Sequence, residues 1–208
     1  MESFFERVEH VGGWPPGRKD LHWHVLPSPA EAEGLLSLYR DRGLMPRGMS
    51  PVPDDGLHCT LLHAMGVGAD DIDLGAVVDD VRERVGQRAP FTLTFDRPAI
   101  GAMAVEISGW PGRLFGELVG DVTAVMRRHA GTEWTAAASR YPHISLAYTS
   151  KGAKDVSAAD LREALAAIDG PLAQQVQVDA VHLVAQWHDG AAIRWEQLAT
   201  VALKGGMT

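Results

Sequence analysis

The sequence has a single cysteine among its 208 residues, Cys59, so no internal disulfide can form. Cysteine-poor chains are typical of reducing compartments, which predicts a cytoplasmic protein. Long apolar runs are also absent, because none approaches the roughly 20 residues that a membrane-spanning helix needs. The opening stretch MESFFERVEHVGGW is charged and lacks the apolar core of a signal peptide. We therefore expect neither a membrane protein nor a secreted one.

Basic residues are scarce relative to acidic ones. The chain has 19 Lys and Arg against 27 Asp and Glu, which gives a formal net charge of -8 at pH 7. Proteins that coat long nucleic acids neutralise many phosphates with Lys and Arg, so this charge argues against such a partner. A small anionic ligand is still compatible with it, because net charge does not describe a local pocket.

Hydrophobic periodicity predicts an α+β fold. Apolar residues recur at helical spacing in four segments, which are 28–43, 70–86, 111–129 and 157–170. Strand-like runs lie between these segments and after them, at 21–27, 57–64, 141–149, 176–187 and 192–203, and residues 90–110 read as two strands joined near Pro98 and Gly101. The last two runs read as a hairpin that turns at the sequence HDG. An all-β architecture fits poorly because four helices intervene.

The order of the elements suggests two related halves with no low-complexity linker between them. We expect a turn-rich lead-in over residues 1–20, a single bilobal domain over 21–203 and a short tail over 204–208. A domain of this size can act as a monomer, which is the state we expect.

Two short stretches carry polar residues where a buried strand would carry Val or Ile. They are HCTL, residues 58–61, and HISL, residues 143–146. Side chains alternate along a strand, so each His shares a face with the hydroxyl residue two positions later. Each half thus presents one imidazole and one hydroxyl. If the halves are related by approximate two-fold symmetry, the two pairs meet in a cleft.

Such a pair of motifs suits displacement at a phosphodiester. Two imidazoles with pKa values near neutrality can act as base and acid in one turnover. Two hydroxyls can donate hydrogen bonds to the non-bridging oxygens of a phosphate. This chemistry requires no metal and no cofactor, since an imidazolium can stabilise the developing negative charge.

HCTL and HISL together resemble the signature of the 2H phosphoesterase superfamily, which includes 2′–5′ RNA ligase-like proteins and 2′,3′-cyclic nucleotide phosphodiesterases. The resemblance implies an α+β fold of two pseudo-symmetric lobes, whose antiparallel sheets face a central cleft and whose helices lie outside. It implies that His58 and His143 form the acid–base pair and that Thr60 and Ser145 bind the phosphate. The implied substrates are 2′,3′-cyclic phosphates or 2′–5′-linked ribonucleotides, and the acidic chain favours a small nucleotide or an RNA-terminal cyclic phosphate over long RNA.

Several neighbouring residues are weaker candidates. His24, Tyr148 and Arg140 are candidates for lining the cleft beside the motifs. His63 has the opposite strand parity from His58, which predicts a structural or surface role. Cys59 should face the core, away from His58, so it is not expected to act as a nucleophile.

Two other functions remain open from the sequence. The first is a module on the same fold that binds nucleotides or RNA ends without turnover. The second is a metal-dependent hydrolase built on His22 and His24, which share a strand face and have the side chains that zinc prefers. Loss of activity with a chelator would favour this second function.

Overall fold

The computed structural model describes residues 1–131 and 133–205, which form five α-helices and ten β-strands. The helices are α1 (Phe4–His10), α2 (Pro29–Tyr39), α3 (Leu74–Val85), α4 (Gly112–Ala130) and α5 (Ala158–Ala166). The last four correspond to the four predicted helical segments. Side-chain oxygens of Ser28, Asp73 and Ser157 accept hydrogen bonds at the first turns of α2, α3 and α5, which explains where these helices begin.

The strands form two five-stranded sheets in which every pair of neighbours is antiparallel. The first sheet has the order β10 (Ile193–Ala202), β9 (Ala180–His188), β1 (Asp20–Val25), β3 (Cys59–Ala64) and β6 (Ala137–Ala138). The second has the order β2 (Met49–Pro51), β7 (His143–Thr149), β5 (Ala104–Trp110), β4 (Phe91–Ile100) and β8 (Gln174–Val178). The predicted α+β class with two antiparallel sheets is confirmed.

The helices cover the outer faces of the two sheets. Helices α3 and α4 pack on the first sheet, while α2 and α5 pack on the second. The apolar stripe of α4, which includes Leu118, Val122 and Val125, is buried as the helical spacing predicts. Since the helices occupy the outer faces, polar side chains of the central strands are left to face the space between the sheets.

One predicted strand is two strands in the structure. Residues 176–187 were expected to form a single strand, but β8 ends at Val178 in the second sheet and β9 begins at Ala180 in the first. The burial pattern explains the break: β8 alternates between buried and exposed residues, whereas β9 is almost continuously buried. Asp179 therefore marks the crossing between the sheets.

No helix in the described part of the chain is both long and apolar enough to cross a membrane.

The N-terminal segment, residues 1–20, is folded onto the two sheets. Helix α1 packs against β7, and Phe5 and Trp14 form a small buried cluster with Ile193 of β10. The turn-rich composition of residues 11–17 gave no sign of these contacts. The segment therefore forms part of the wall around the space between the sheets.

Candidate active site

A β-bulge in β3 decides which of its side chains face inward. His24 of β1 lies opposite Thr60, and His22 lies opposite His63, so one extra residue, Leu61, separates the two pairs. A bulge shifts the alternation of side chains by one position. Thr60 and His63 consequently share a face although they are three residues apart. The prediction that His63 faces away from His58 is wrong, because it assumed a regular strand.

The second motif strand has a bulge at the corresponding position. Ser145 of β7 lies opposite Glu106 of β5, and Tyr148 lies opposite Ala104, so Leu146 is the extra residue. Tyr148 therefore shares a face with Ser145. Strand β7, and β3 with His58 directly before it, thus present matching rows: an imidazole, a hydroxyl two residues later, and a ring three residues after the hydroxyl.

Both rows line one cavity of about 500 Å³ between the sheets, which we call the central cavity. This volume is typical of sites that bind small molecules. Its described lining consists of Phe4, Val8, Gly12, Trp14, His22, His58, Thr60, His63, Met65, Gly101, Ala102, Met103, Ala104, Glu106, Ser139, His143, Ser145, Tyr148, Gln186 and Ile193. The structure thus brings His58, Thr60, His143 and Ser145 together, as the duplicated motif requires.

His58 is held in one orientation and one tautomer. Its Nδ1 lies 2.7 Å from the carbonyl oxygen of Gly56, and a carbonyl only accepts, so Nδ1 carries a proton and donates. Its ring stacks on that of His24 at a centroid separation of 4.4 Å. Burial lowers the pKa of His58 to about 4, and the nearby His143 acts in the same direction. His58 is therefore neutral at pH 7, with the lone pair on Nε2.

His143 is more accessible than His58. Its Nδ1 lies 3.2 Å from the carbonyl oxygen of Tyr141, which again assigns the Nδ1 proton and leaves Nε2 available. The Tyr141 hydroxyl donates to Glu106 at 3.0 Å, and Glu106 also lines the central cavity. His143 is only partly buried, so its ring contacts solvent. The two motif imidazoles thus differ in their surroundings, although their motifs match.

Cys59 is the buried residue between His58 and Thr60, and it points away from the central cavity. Its side chain is 1% exposed, and it lies against the backbone of His143, where β3 and β7 are adjacent. Burial raises the pKa of the Cys59 thiol to about 12. The thiol is therefore protonated and faces the core, as the alternation along the strand predicts.

A second group of ionisable residues lies at the His63 end of the cavity. Asp20 accepts hydrogen bonds from the Nε2 of His63 at 2.9 Å and from Arg18 and the backbone of Gly66. Burial raises the pKa of Asp20, but these hydrogen bonds outweigh burial and bring the value to about 2. The carboxylate therefore stays ionised and fixes the His63 ring, which stacks on His22 at 3.9 Å.

The weaker candidates have different locations. Tyr148 lines the central cavity, as expected, and contacts Phe4 at a ring separation of 4.5 Å. His24 does not line it, because the ring is fully buried beneath His58, and neither of its nitrogens has a hydrogen-bond partner. Arg140 is exposed and is not part of the described lining. The His24 ring thus packs against the His58 ring and does not line the cavity.

The rings of His22 and His24 are neighbours, with centroids 5.6 Å apart, but each ring stacks on a different partner. His22 stacks on His63 and donates from Nδ1 to the backbone of Asp20, whereas His24 stacks on His58. Over residues 1–131 and 133–205, no group of three or more His, Cys, Asp or Glu side chains is arranged to hold a metal ion. The donor arrangement that the metal-dependent alternative needs is not found in this part of the chain.

The buried histidines predict a protein that loses stability in mild acid. Burial lowers the pKa of His22, His24 and His58 below the value of about 6.5 that they have in an unfolded chain. The unfolded state then binds more protons as the pH falls below 6.5, so the free energy of unfolding decreases. For His58 alone, the window from 6.5 to about 4 corresponds to a loss on the order of 3 kcal/mol. The Asp20 carboxylate does not contribute to this loss of stability. Its pKa is lowered from 3.8 to about 2, so its own contribution to the free energy of unfolding is lost only below about pH 4.

Urea unfolding at pH 7.5, 6, 5 and 4.5 measures this loss. We expect the midpoint to fall at each step below pH 6.5. A His24→Leu variant removes one buried titrating group, so its midpoint should fall less steeply. A midpoint that is constant between pH 7.5 and 4.5 would contradict the assignment of these three rings as buried and neutral.

Comparisons with known proteins support the fold. No protein-family model matches the sequence, and no curated protein matches it either. Three solved structures align with 89% of this chain and 98% of their own chains. They are a protein described as a phosphoesterase (20% identity, TM-score 0.64), TT0787 of Thermus thermophilus (18%, 0.63) and E. coli LigT complexed with NADP+ (20%, 0.62).

At this level of identity the similarity is one of fold. The chain has the α+β fold of the 2H phosphoesterases, with two antiparallel sheets and helices outside them. The resemblance inferred from HCTL and HISL is thus confirmed for the fold, over nearly the whole length of the chain. Whether the chain shares the chemistry depends on the central cavity itself.

Proposed function

We propose that this protein is a metal-independent phosphodiester hydrolase that acts on 2′,3′-cyclic phosphates or 2′–5′-linked ribonucleotides. One observation carries the proposal: two imidazoles and two hydroxyls, contributed in matching rows by two different strands, line a single cavity large enough for a nucleotide. Two histidines that share one cavity can act as base and acid on the same phosphate.

In this proposal His58 is the general base. Its Nδ1–H donates to the backbone of Gly56, so only Nε2 can accept a proton. Burial against His24 keeps the ring neutral at pH 7, so the base is present in its active form. His143 takes the complementary role of general acid, because it lines the same cavity and its Nδ1 contact to the backbone of Tyr141 leaves Nε2 free to donate. Thr60 and Ser145 donate hydrogen bonds to the non-bridging oxygens.

The hydrolysis of a 2′,3′-cyclic phosphate then proceeds by in-line displacement. Water gives a proton to Nε2 of His58 while its oxygen forms a bond to phosphorus. The bond between phosphorus and one ribose oxygen breaks, and that oxygen takes a proton from Nε2 of His143. The product is a phosphomonoester beside a free hydroxyl. His58 ends the turnover protonated and His143 neutral, and exchange with solvent restores both.

The pKa of His58 predicts the pH dependence of this reaction. The base works only when unprotonated, so kcat/KM for a 2′,3′-cyclic nucleotide should stay high down to about pH 5 and decline with a midpoint near pH 4. Initial rates between pH 3.5 and 8 test this, with circular dichroism at each pH to confirm that the protein is folded. A decline with a midpoint at pH 6 or above would contradict the assignment of His58 as a buried, neutral base.

The same pKa also favours a second candidate, a module that binds nucleotides or RNA ends without turnover. An imidazole with a pKa of about 4 accepts a proton from water less readily than an exposed one does. Binding that is measurable in the absence of any turnover, and that survives substitution of either histidine, would favour this candidate.

Small nucleotides are the substrates that the cavity favours. Among the described residues that line it there is no lysine or arginine, and Glu106 adds a carboxylate. A long RNA would find little cationic surface here.

E. coli LigT, which has this fold, has been solved in complexes with 3′-AMP, phosphate and ATP. The proposal includes a monomer, because one chain supplies all of the described lining, and a cytoplasmic location, because the chain has a single cysteine.

A further inference from the structure

The N-terminal segment crosses from the second sheet to the first along one end of the central cavity. On the second sheet, the amide of Phe4 donates to the Thr149 hydroxyl of β7 at 2.9 Å. On the first sheet, Nε2 of His188 donates to the backbone carbonyl of Trp14 at 2.7 Å, and the amide of Gly17 donates to the His188 carbonyl at 2.8 Å. The segment is therefore anchored to both sheets.

Four residues of the segment line the cavity and form a wall across this end, which we call the end wall. They are Phe4, Val8, Gly12 and Trp14. Phe4 packs on Tyr148 of β7, with ring centroids 4.5 Å apart, and the ring of Trp14 lies 5.2 Å from that of His63 on β3. The end wall thus meets the last position of each motif row.

The two ends of the cavity differ in their exposure. At the end wall, Trp14 and Ile193 are only 4% and 9% exposed. On the opposite side, Tyr141 precedes His143 and the neighbouring strand ends at Trp110, and these two aromatic residues are 45% and 46% exposed. The cavity therefore opens past His143 and is closed at the end wall.

The end wall stands close to the hydroxyls that the proposed function assigns to the phosphate. On the neighbouring strands, the residues opposite Thr60 and His63 are two positions apart, as are those opposite Ser145 and Tyr148. Two strand positions span about 7 Å. A small ligand fits a cavity of this size, but a chain that continues from the hydroxyls toward the N-terminal segment meets the end wall.

The outer side of the end wall offers little cationic surface to such a chain. Glu6 of α1 is exposed, and Arg7, the one lysine or arginine of this helix, pairs with Glu2 at 3.0 Å. Contacts between phosphates and Lys or Arg supply much of the affinity of proteins for nucleic acid chains. The charge of the segment therefore disfavours a continuing RNA chain, as its position does.

We propose that the N-terminal segment is a chain-length filter. It admits a mononucleotide 2′,3′-cyclic phosphate and excludes the same group at the 3′ end of an RNA chain. Phe4 and Val8, which lie one helical turn apart on α1 and both line the cavity, are specificity-determining residues of this filter. The inference rests on the proposed function in one respect, the placement of the reacting phosphate beside Thr60 and Ser145.

Initial rates of the full chain with two substrates test the filter. The substrates are 2′,3′-cyclic AMP and the adenosine dinucleotide ApA with a 2′,3′-cyclic phosphate at its 3′ end. Wild-type protein should have a kcat/KM at least tenfold higher for the mononucleotide. A smaller ratio, or a preference for the dinucleotide, would overturn the proposal.

Phe4→Ala combined with Val8→Ala removes bulk from the end wall and leaves every charge in place. We expect kcat/KM for the dinucleotide to rise at least fivefold, while the value for 2′,3′-cyclic AMP stays level or falls. Loss of folding cannot produce such a rise, and neither can an exclusion of the dinucleotide by charge alone. A folded double variant without this rise would overturn the role of the two side chains.

Val11→Ala is the matched control for the double variant. Val11 follows α1 in the same segment, is 73% exposed and lies outside the described lining of the cavity. It should change neither kcat/KM value. Circular dichroism confirms folding, and Val8→Ala alone, with the same direction of change expected, replaces the double variant if that protein is unfolded.

The filter and the proposed function can fail separately, because binding is measurable without turnover. Calorimetry compares 3′-AMP with ApA that carries a 3′-phosphate. If wild-type protein binds 3′-AMP at least tenfold more tightly but hydrolyses neither cyclic phosphate, the filter stands and the catalytic proposal fails. If it hydrolyses both cyclic phosphates with similar kcat/KM, the catalytic proposal stands and the filter fails.

Discussion

Replacing either His58 or His143 with alanine is expected to lower kcat for 2′,3′-cyclic AMP by about 10²–10⁴-fold, because each change removes one of the two proton transfers. The double variant should be little slower than the worse of the two single variants, since groups that act in one step do not contribute independently. Initial rates at pH 7 with saturating substrate measure these effects.

His182→Ala is the matched control for these variants. His182 lies on β9 of the first sheet, where its Nδ1 contacts the Thr200 hydroxyl at 3.1 Å, and it is not part of the described lining of the central cavity. Its loss should leave kcat within about twofold of wild type. A His58→Ala or His143→Ala protein that is folded and keeps more than a tenth of wild-type kcat would contradict the acid–base assignment.

The second large effect is expected at the two hydroxyls. Thr60→Val and Ser145→Ala each remove one donor to the non-bridging oxygens, and loss of such a donor typically lowers kcat by about 10²–10³-fold. The change should appear mainly in kcat, because negative charge on these oxygens is greatest in the transition state. Steady-state kinetics with 2′,3′-cyclic AMP separates kcat from KM.

Thr94→Val provides the control for loss of a hydroxyl on a strand. Thr94 lies on β4 of the second sheet, opposite Trp110 of β5, and outside the described lining of the central cavity. It should change neither kcat nor KM. If Thr60→Val and Ser145→Ala behave like Thr94→Val, the hydroxyls do not bind the reacting phosphate.

The sequence was sufficient to predict the α+β fold because its signals are local. Helices α2 to α5 follow from apolar spacing and from capping residues such as Ser28 and Ser157. The two motifs were found because His and Thr or Ser, two residues apart, contradict the apolar pattern of the strands around them. Duplication of this pattern suggested that the two pairs meet, and the two sheets do bring them into one cavity.

The bulges were not predictable in the same way. A bulge depends on how a strand registers with its neighbour, and neither Leu61 nor Leu146 differs in type from an ordinary buried strand residue. One extra residue reverses the expected face of everything beyond it. His63 was therefore assigned to the wrong face. The spacing of a ring three residues after each hydroxyl, in HCTLLH and HISLAY, is the one signal that could have revealed the paired bulges.

Residues far apart in sequence supply the rest of the cavity. The N-terminal segment supplies Phe4 and Trp14, while β5 supplies Glu106 and β9 supplies Gln186. Their contacts depend on the packing of the N-terminal segment and on the crossing of the chain from β8 to β9. Neither leaves a periodic or compositional trace, so single-sequence patterns could not identify these residues.

The most direct test of two-histidine phosphodiester chemistry is to follow 2′,3′-cyclic AMP by phosphorus NMR with wild-type protein in the presence of EDTA. The account predicts that the cyclic diester signal disappears and a single phosphomonoester signal replaces it, at the same rate with and without the chelator. No turnover by the folded protein, or turnover that stops with EDTA and returns with zinc, would contradict it.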